Sequence, residues 1–183
     1  IETRHLYLKA AEFYGLQNYH ALIYPPNDSY TAQMVFSRYV FPEHWKQNEN
    51  KFRDYFKTHT PQNPDSPPFT FDEYVQRTDA LYHWILKQVN WRSFDIIGFT
   101  LHYGQLLPSL AIAKKIKETN PEKTIIFGGS RTVGNLGVNV LHAFDAVDCI
   151  VSGDGEDALT RLALNQQPSR LIPRLIYRHH EQV

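Results

Sequence analysis

The hydrophobic residues follow two different patterns along the chain: an aromatic-rich pattern in the first half and an alternating pattern in the second. Between residues 91 and 163, short apolar runs alternate with segments whose apolar residues recur at helical spacing. The runs are too short for ordinary helices and are typical of buried strands; they lie at residues 94–100, 124–127 and 147–151. The segments that follow them predict helices at residues 106–119, at residues 133–144 and from residues 154–157 onward.

This alternation of strands and helices predicts an α/β domain. Parallel strands with right-handed crossovers make a doubly wound, mostly parallel Rossmann-like sheet of the flavodoxin-like kind. Residues 171–177 predict a further strand, which must lie at an edge because Pro173 has no backbone N–H to donate.

The beginning of the chain predicts a helix and a short strand. Residues 2–14 predict a helix that ends at Gly15, since glycine readily adopts the left-handed conformation that closes a helix. Residues 19–24 are aromatic and aliphatic and are followed by two prolines, which favours a strand and a turn. A flavodoxin-like order needs a central strand between this strand and the one at 94–100, and we expect that strand to be missing from, or upstream of, the sequence.

Aromatic residues are dense in the next segment. Residues 28–58 predict two helices that break near Pro42, and Thr70 with Glu73 predicts a capping box that opens a long helix. These rings are too numerous for a solvated linker, and we expect four of them in particular to be buried. The four are Trp45, Phe52, Phe56 and Trp84.

The alternation of strands and helices after residue 91 and the aromatic-rich segment before it suggest a division into domains. We assign residues 1–24 and 91–167 to one Rossmann-like domain and residues 25–90 to a helical, aromatic-rich insertion. Residues 168–183 are interpreted as a linker. The insertion would act as a lid or as a surface for a peptide or protein partner.

Composition and charge limit the possible functions. The 183 residues contain 19 Lys and Arg against 19 Asp and Glu, which gives no sign of nucleic acid or an acidic membrane as a partner. No apolar run approaches the roughly 20 residues needed to span a bilayer. The single cysteine, Cys149, cannot supply a disulfide, a zinc cage or an iron–sulfur cluster, and favours a reducing, cytoplasmic location.

Four motifs, in order, resemble those of a known family. They are DIIGFT at 95–100, KKIKETNP at 114–121, IFGGS at 126–130 and VDCIVSGDGE at 147–156. Together they resemble the cobalamin-binding domain of B12-dependent radical SAM enzymes, nearest to the group that matures ribosomally made peptides. The resemblance implies a cobalamin module followed by a radical SAM barrel, which would hold the iron–sulfur cluster and S-adenosylmethionine.

The chain itself carries no catalytic motif. The three-cysteine motif of radical SAM enzymes is not found in these 183 residues, so methyl transfer or radical modification of a peptide would take place outside the chain. We assign no catalytic residue and no metal ligand. The best-known lower axial ligand in cobalamin domains is a histidine in an Asp-x-His-x-x-Gly loop, whose position here falls at or before residue 1. The resemblance also implies that many radical SAM cobalamin domains lack this histidine and bind the cofactor without it.

The resemblance also implies where the cofactor would bind. In such domains a strand end and a Gly-Gly turn line the groove for the nucleotide tail of cobalamin. The corresponding residues here are Thr100, Leu101, His102, Tyr103, Gly104, Gly128, Gly129, Ser130, Ser152, Gly153, Asp154 and Gly155. His102 stands where the family has an apolar residue, and Asp154 stands where it has Glu.

Two interpretations remain open at this stage. One is a working cobalamin module, favoured by the intact glycines and hydroxyls. The other is a degenerate module of the same fold that lacks cobalamin and recognises a peptide or protein partner, and His102 favours it. From the residues alone, Gly128 and Gly129 fit a plain strand-to-helix turn equally well. If they line a groove, Gly129→Phe should block it and leave the fold largely intact.

Overall fold

The computed structural model describes residues 1–23, 30–60, 69–165, 168–169 and 171–178. The chain divides into two compact units, here called unit 1 (Ile1–Val89) and unit 2 (Asn90–Val183). The turn expected after residue 24 lies outside the described residues. The assignment of residues 1–24 and 91–167 to one domain, with an insertion at 25–90, stays a prediction.

Unit 1 is helical over most of its described residues. Its helices are α1 (Leu6–Tyr14), α2 (Leu16–Ile23), α3 (Ser37–Val40), α4 (Pro42–His59) and α5 (Phe71–Gln88), and a short 3-10 turn at Met34–Phe36 precedes α3. As predicted, α1 ends at Gly15, whose φ is 81°. The predicted capping box is also confirmed: the Glu73 backbone N–H donates to Thr70 Oγ1 at 3.2 Å, and the Thr70 N–H donates to Glu73 Oε2 at 3.0 Å.

The strand predicted at residues 19–24 is wrong for residues 19–23, and residue 24 lies outside the described residues. Tyr19 to Ile23 belong to α2, and the Tyr19 N–H donates to Gly15 O at 2.8 Å. A short apolar run is ambiguous between strand and helix, and here packing on α1 leaves Leu22 buried. The central strand expected between this segment and residues 94–100 therefore loses one of its two proposed neighbours.

The core of unit 1 is built from stacked rings. Trp45 lies 5.0 Å from Phe52 between ring centroids, and Phe56 lies 5.5 Å from Tyr74. Tyr74 is fully buried and its hydroxyl donates to Thr31 O at 2.7 Å, which satisfies the only polar group of that ring. The predicted burial of Trp45, Phe52 and Phe56 is confirmed.

Trp84 is an exception to that prediction. It is half-buried, because its face of α5 meets the α1 side chains of Phe13, with ring centroids 6.2 Å apart, and Lys9, whose Nζ lies 4.9 Å from the ring. An ammonium over an indole ring stays partly solvated, so this ring forms the rim of the unit and not its core.

Unit 2 contains an open, mostly parallel sheet in a mixed α/β arrangement. The strands are β1 (Ile96–Thr100), β2 (Thr124–Gly128), β3 (Cys149–Val151) and β4 (Leu175–Tyr177), and they lie side by side in that order. The first three are parallel, whereas β4 runs antiparallel to β3. The helices are α6 (Leu106–Thr119), α7 (Asn135–Ala143) and α8 (Glu156–Asn165).

The predicted elements of unit 2 are therefore confirmed, with shorter bounds at several ends. The fourth strand lies at an edge as expected, but it begins after Pro173, so this residue precedes the strand. Before β1, residues Trp91–Ser93 form a 3-10 turn, which shortens the strand predicted from residue 94.

Side chains of the sheet alternate between two packed faces. Ile126, Cys149 and Val151 form one cluster with Ala158 and Leu162 of α8. Residues that alternate with these point to the other face, where Ile150 meets α7. Because α7 approaches the sheet closely, the helix residue at the contact has to be small.

We expect Gly137 to be the residue in unit 2 that tolerates a side chain least. A Cβ atom there would lie 2.3 Å from Thr132 O and 2.8 Å from Ile150 Cγ2. Gly137→Ala should lower the free energy of unfolding by about 3 kcal/mol, even though alanine favours helices by about 1 kcal/mol. Urea denaturation of the intact protein, followed by circular dichroism, measures the difference.

The matched control for that measurement is Gly98→Ala. Gly98 lies in β1, and a Cβ there would meet nothing within 4 Å. Its effect should stay within about 1 kcal/mol. Equal losses for the two variants would show that α7 does not pack as closely on the sheet as described.

Candidate functional site

The carboxyl ends of β1 and β2 coincide. Thr100 pairs with Gly128 in the strand register, and the backbone hydrogen bonds continue beyond the strands. The Leu101 N–H donates to Gly128 O at 2.7 Å, and the Arg131 N–H donates to Leu101 O at 3.3 Å. The loop after β1 and the turn after β2 are thus joined through their backbones, and two of the three predicted site segments, 100–104 and 128–130, lie together.

Gly129 has a different role from the one expected. Its φ is 99°, a conformation that favours glycine, and a Cβ there would lie 2.8 Å from Leu101 O and 3.0 Å from Thr100 Cγ2. The glycine is needed because the backbone of the neighbouring loop passes over it. The expectation that a Phe at this position would project into a groove and leave the fold intact is therefore wrong.

Gly128 is less confined. A Cβ added there would meet Val151 Cβ at 3.7 Å, which is ordinary van der Waals contact. Of the two glycines, only Gly129 is required by a close approach and a positive φ.

Several polar side chains are exposed at this edge, and three of them belong to predicted site residues with a hydroxyl or imidazole close to the strand ends. Thr100 ends β1, His102 follows in the loop, and Ser130 begins the short 3-10 turn Ser130–Thr132. Ser130 Oγ lies 3.1 Å from Nδ1 of His102, while the His102 backbone N–H donates to Gln105 Oε1 at 3.0 Å. The imidazole that departs from the family pattern is therefore hydrogen-bonded to one of the expected site hydroxyls.

Arg131 joins the site although the sequence did not identify it. Its guanidinium carbon lies 4.9 Å from the ring centroid of Tyr103, a predicted site residue, and both side chains are exposed. The signal that could have found it is the cation directly after the Gly-Gly-Ser turn, at the edge of the sheet where ligands bind.

The third predicted segment, residues 152–155, makes its polar contacts elsewhere. The Ser152 N–H donates to Arg174 O at 3.0 Å, and Asp154 pairs with the Arg174 guanidinium at 2.7 Å. Arg174 also lies over Gly153, whose φ is 97°. This segment is therefore tied to the residues before β4.

Thr132 connects the end of β3 to the turn after β2. Thr132 is fully buried, and its Oγ1 lies 2.8 Å from both Gly129 O and Val151 O.

A pocket of about 370 Å³ lies beside the third segment, and residues of the loops after β1 and β2 do not line it. Its lining residues are Asp154, Glu156, Asp157, Ala158, Pro173 and Arg174.

The described residues contain no group of three or more His, Cys, Asp or Glu side chains that could hold a metal ion. Cys149 is fully buried in β3, and this burial raises the pKa of its thiol to about 12. A thiol that stays protonated is a poor metal ligand and a poor nucleophile, so Cys149 belongs to the core.

Across the described part of the chain, the helices are all too short or too polar to cross a membrane.

Comparison with known proteins found no matching family model, no matching curated protein and no matching solved structure. The cobalamin interpretation therefore depends on the four sequence motifs and on the geometry of the carboxyl edge.

Gly129 and Gly128 should respond very differently to the same substitution. Gly129→Ala combines an unfavourable φ with contact on the Leu101 backbone and should cost about 3 kcal/mol of unfolding free energy. Gly128→Ala should cost less than about 1 kcal/mol. Urea denaturation of both variants tests this, and a tolerated Gly129→Ala would mean that the two loops are not joined as described.

Cys149 should be unreactive in the folded protein. At pH 8 the buried thiol should react with 5,5′-dithiobis(2-nitrobenzoic acid) at least 100-fold more slowly than in 8 M urea, because both its burial and its raised pKa suppress the thiolate. The absorbance of the released thiol dye gives the rate. Equal rates with and without urea would show that β3 is not in the core.

Proposed function

We propose that unit 2 is the cobalamin-binding module of a radical SAM enzyme that modifies a peptide by methyl transfer or radical chemistry. The catalytic iron–sulfur barrel would lie outside this chain. The observation that carries the proposal is the exposed group formed by Thr100, His102 and Ser130, where the parallel strands β1 and β2 end in register. Open α/β sheets bind their ligands at this edge.

The proposal includes a doubly wound, flavodoxin-like sheet. Helices on both faces are supported by the contact of α8 with the Cys149 side of β3 and by that of α7 with Ile150. In the described residues β1 pairs only with β2, so a flavodoxin-like order would need a further strand on its outer edge. Residues 25–90 would then be an insertion into that domain.

The side chains at the edge suit the nucleotide tail of cobalamin. The tail carries a phosphodiester and sugar oxygens, which accept hydrogen bonds from hydroxyls such as those of Thr100 and Ser130. Gly128 has no side chain to keep the tail away from the end of β2. When bound, cobalamin would supply a cobalt ion able to carry a methyl group.

The task of this chain is to hold and orient the tail. The loops after β1 and β2 would provide most of the contacts, because they share one surface and expose their polar side chains. Residues 152–155 would form the boundary of the site, since Arg174 already engages Ser152 and Asp154.

The alternative is a module that has lost cobalamin and recognises a peptide or protein partner through the aromatic-rich insertion at residues 25–90. Most rings of that segment pack against one another, as Trp45 and Phe52 do. The large apolar side chains that it exposes among its described residues are Tyr30 and Phe41, at 37% and 42%. Two such side chains give this alternative less support than the polar edge gives to cobalamin.

Removal of the two hydroxyls tests the proposal. The intact protein is mixed with hydroxocobalamin and desalted, and the retained visible absorption gives the bound fraction. The double variant Thr100→Val/Ser130→Ala should raise the dissociation constant about 10-fold, because each lost hydrogen bond costs about 0.5–1.5 kcal/mol.

The matched control is Ser93→Ala/Thr119→Val. Both residues are exposed hydroxyl residues of unit 2, but they lie before β1 and at the end of α6, on the amino side of the sheet. This variant should bind cobalamin like the unmodified protein. An unmodified intact protein that retains no cobalamin overturns the proposal, and equal binding by both double variants moves the site away from this edge.

A further inference from the structure

We propose that Arg131 and Ser130 form a phosphate-binding corner, which takes the phosphate group of a nucleotide ligand. The inference deepens the proposed function and rests on it: in cobalamin, the group bound would be the phosphodiester of the nucleotide tail. It assigns Arg131 as the residue that recognises the charge of the ligand.

The corner is held by contacts between consecutive residues of two loops. Ser130 Oγ contacts His102 Nδ1 at 3.1 Å, and the next residue, Arg131, places its guanidinium over the ring of Tyr103. The Arg131 N–H is fixed to Leu101 O at 3.3 Å. The Ser130 hydroxyl and the Arg131 guanidinium therefore extend from the same turn. His102 limits the motion of the hydroxyl, and Tyr103 limits that of the guanidinium.

Arg131 differs in its charge environment from three of the other arginines of unit 2. Arg161, Arg174 and Arg178 each pair with an aspartate, at 2.9, 2.7 and 3.4 Å. Within the described part of the chain, no carboxylate forms an ion pair with Arg131, and residues 100–105 and 128–135 contain neither Asp nor Glu. The corner therefore has an unbalanced positive charge next to a hydroxyl.

This chemistry suits a phosphate. A guanidinium presents several N–H donors in a planar fork that matches phosphate oxygens, and the exposed Arg131 side chain leaves its donors accessible while its guanidinium carbon lies over the Tyr103 ring. The same phosphate chemistry could come from the cobalamin tail or from a free nucleotide. Separate probes distinguish these two sources.

The experiment compares ligands with and without the phosphate. The intact protein and its Arg131→Gln variant are titrated with hydroxocobalamin and with cobinamide, which lacks the nucleotide and its phosphodiester. Arg131→Gln should weaken hydroxocobalamin binding at least 10-fold and change cobinamide binding less than twofold, because charge-assisted hydrogen bonds are lost only in the first case. Arg131→Lys should give an intermediate loss.

The matched control is Arg92→Gln, which removes an exposed arginine from the segment before β1. It should leave binding of both ligands unchanged, and thermal unfolding should show that the variants remain folded. If the unmodified protein binds hydroxocobalamin but Arg131→Gln behaves like Arg92→Gln, the phosphate corner is wrong and the cobalamin module stands.

A third probe separates the corner from the cobalamin proposal. If the unmodified protein binds no hydroxocobalamin, titration with adenosine monophosphate tests the corner alone. Binding that Arg131→Gln abolishes would support the corner and overturn the cobalamin module. Failure of both ligands to bind would overturn both.

Discussion

The fit of one turn between two strand ends is the constraint on which unit 2 depends. The turn after β2 passes so close to the loop after β1 that Gly129 has no room for a side chain. It then buries Thr132, whose hydroxyl bridges the turn to the end of β3, and Gly137 of α7 packs directly on the Thr132 carbonyl. Three strand ends and one helix are thereby fixed by about ten residues.

The same turn determines which groups face solvent. Because Thr132 is turned into the core, the two residues before it, Ser130 and Arg131, lie on the outside. The single proton of this buried hydroxyl lies within reach of two carbonyl oxygens, which limits the motion of the turn, and a rigid turn keeps exposed donors in place at little entropic cost when a ligand binds. The structural role of Thr132 and the ligand-binding role that we propose for Ser130 and Arg131 thus fall on neighbouring residues.

Much of the fold could be predicted from the sequence because the relevant signals are local. The capping box at Thr70 and the short apolar runs of unit 2 depend only on nearby residues. Residues 19–23 could not be assigned this way, since a short apolar run is ambiguous on its own and these residues belong to a helix that packs against α1. The role of Gly129 was equally hidden, because it depends on a loop 28 residues away in the sequence.

Hydrogen–deuterium exchange of the intact protein with and without hydroxocobalamin tests the central claim most directly, because it locates the ligand without any substitution. Exchange should be slower at residues 100–104 and 128–134 when cobalamin is present, with little change in unit 1. Protection confined to unit 1, or no protection at this edge while cobalamin is retained, would contradict it.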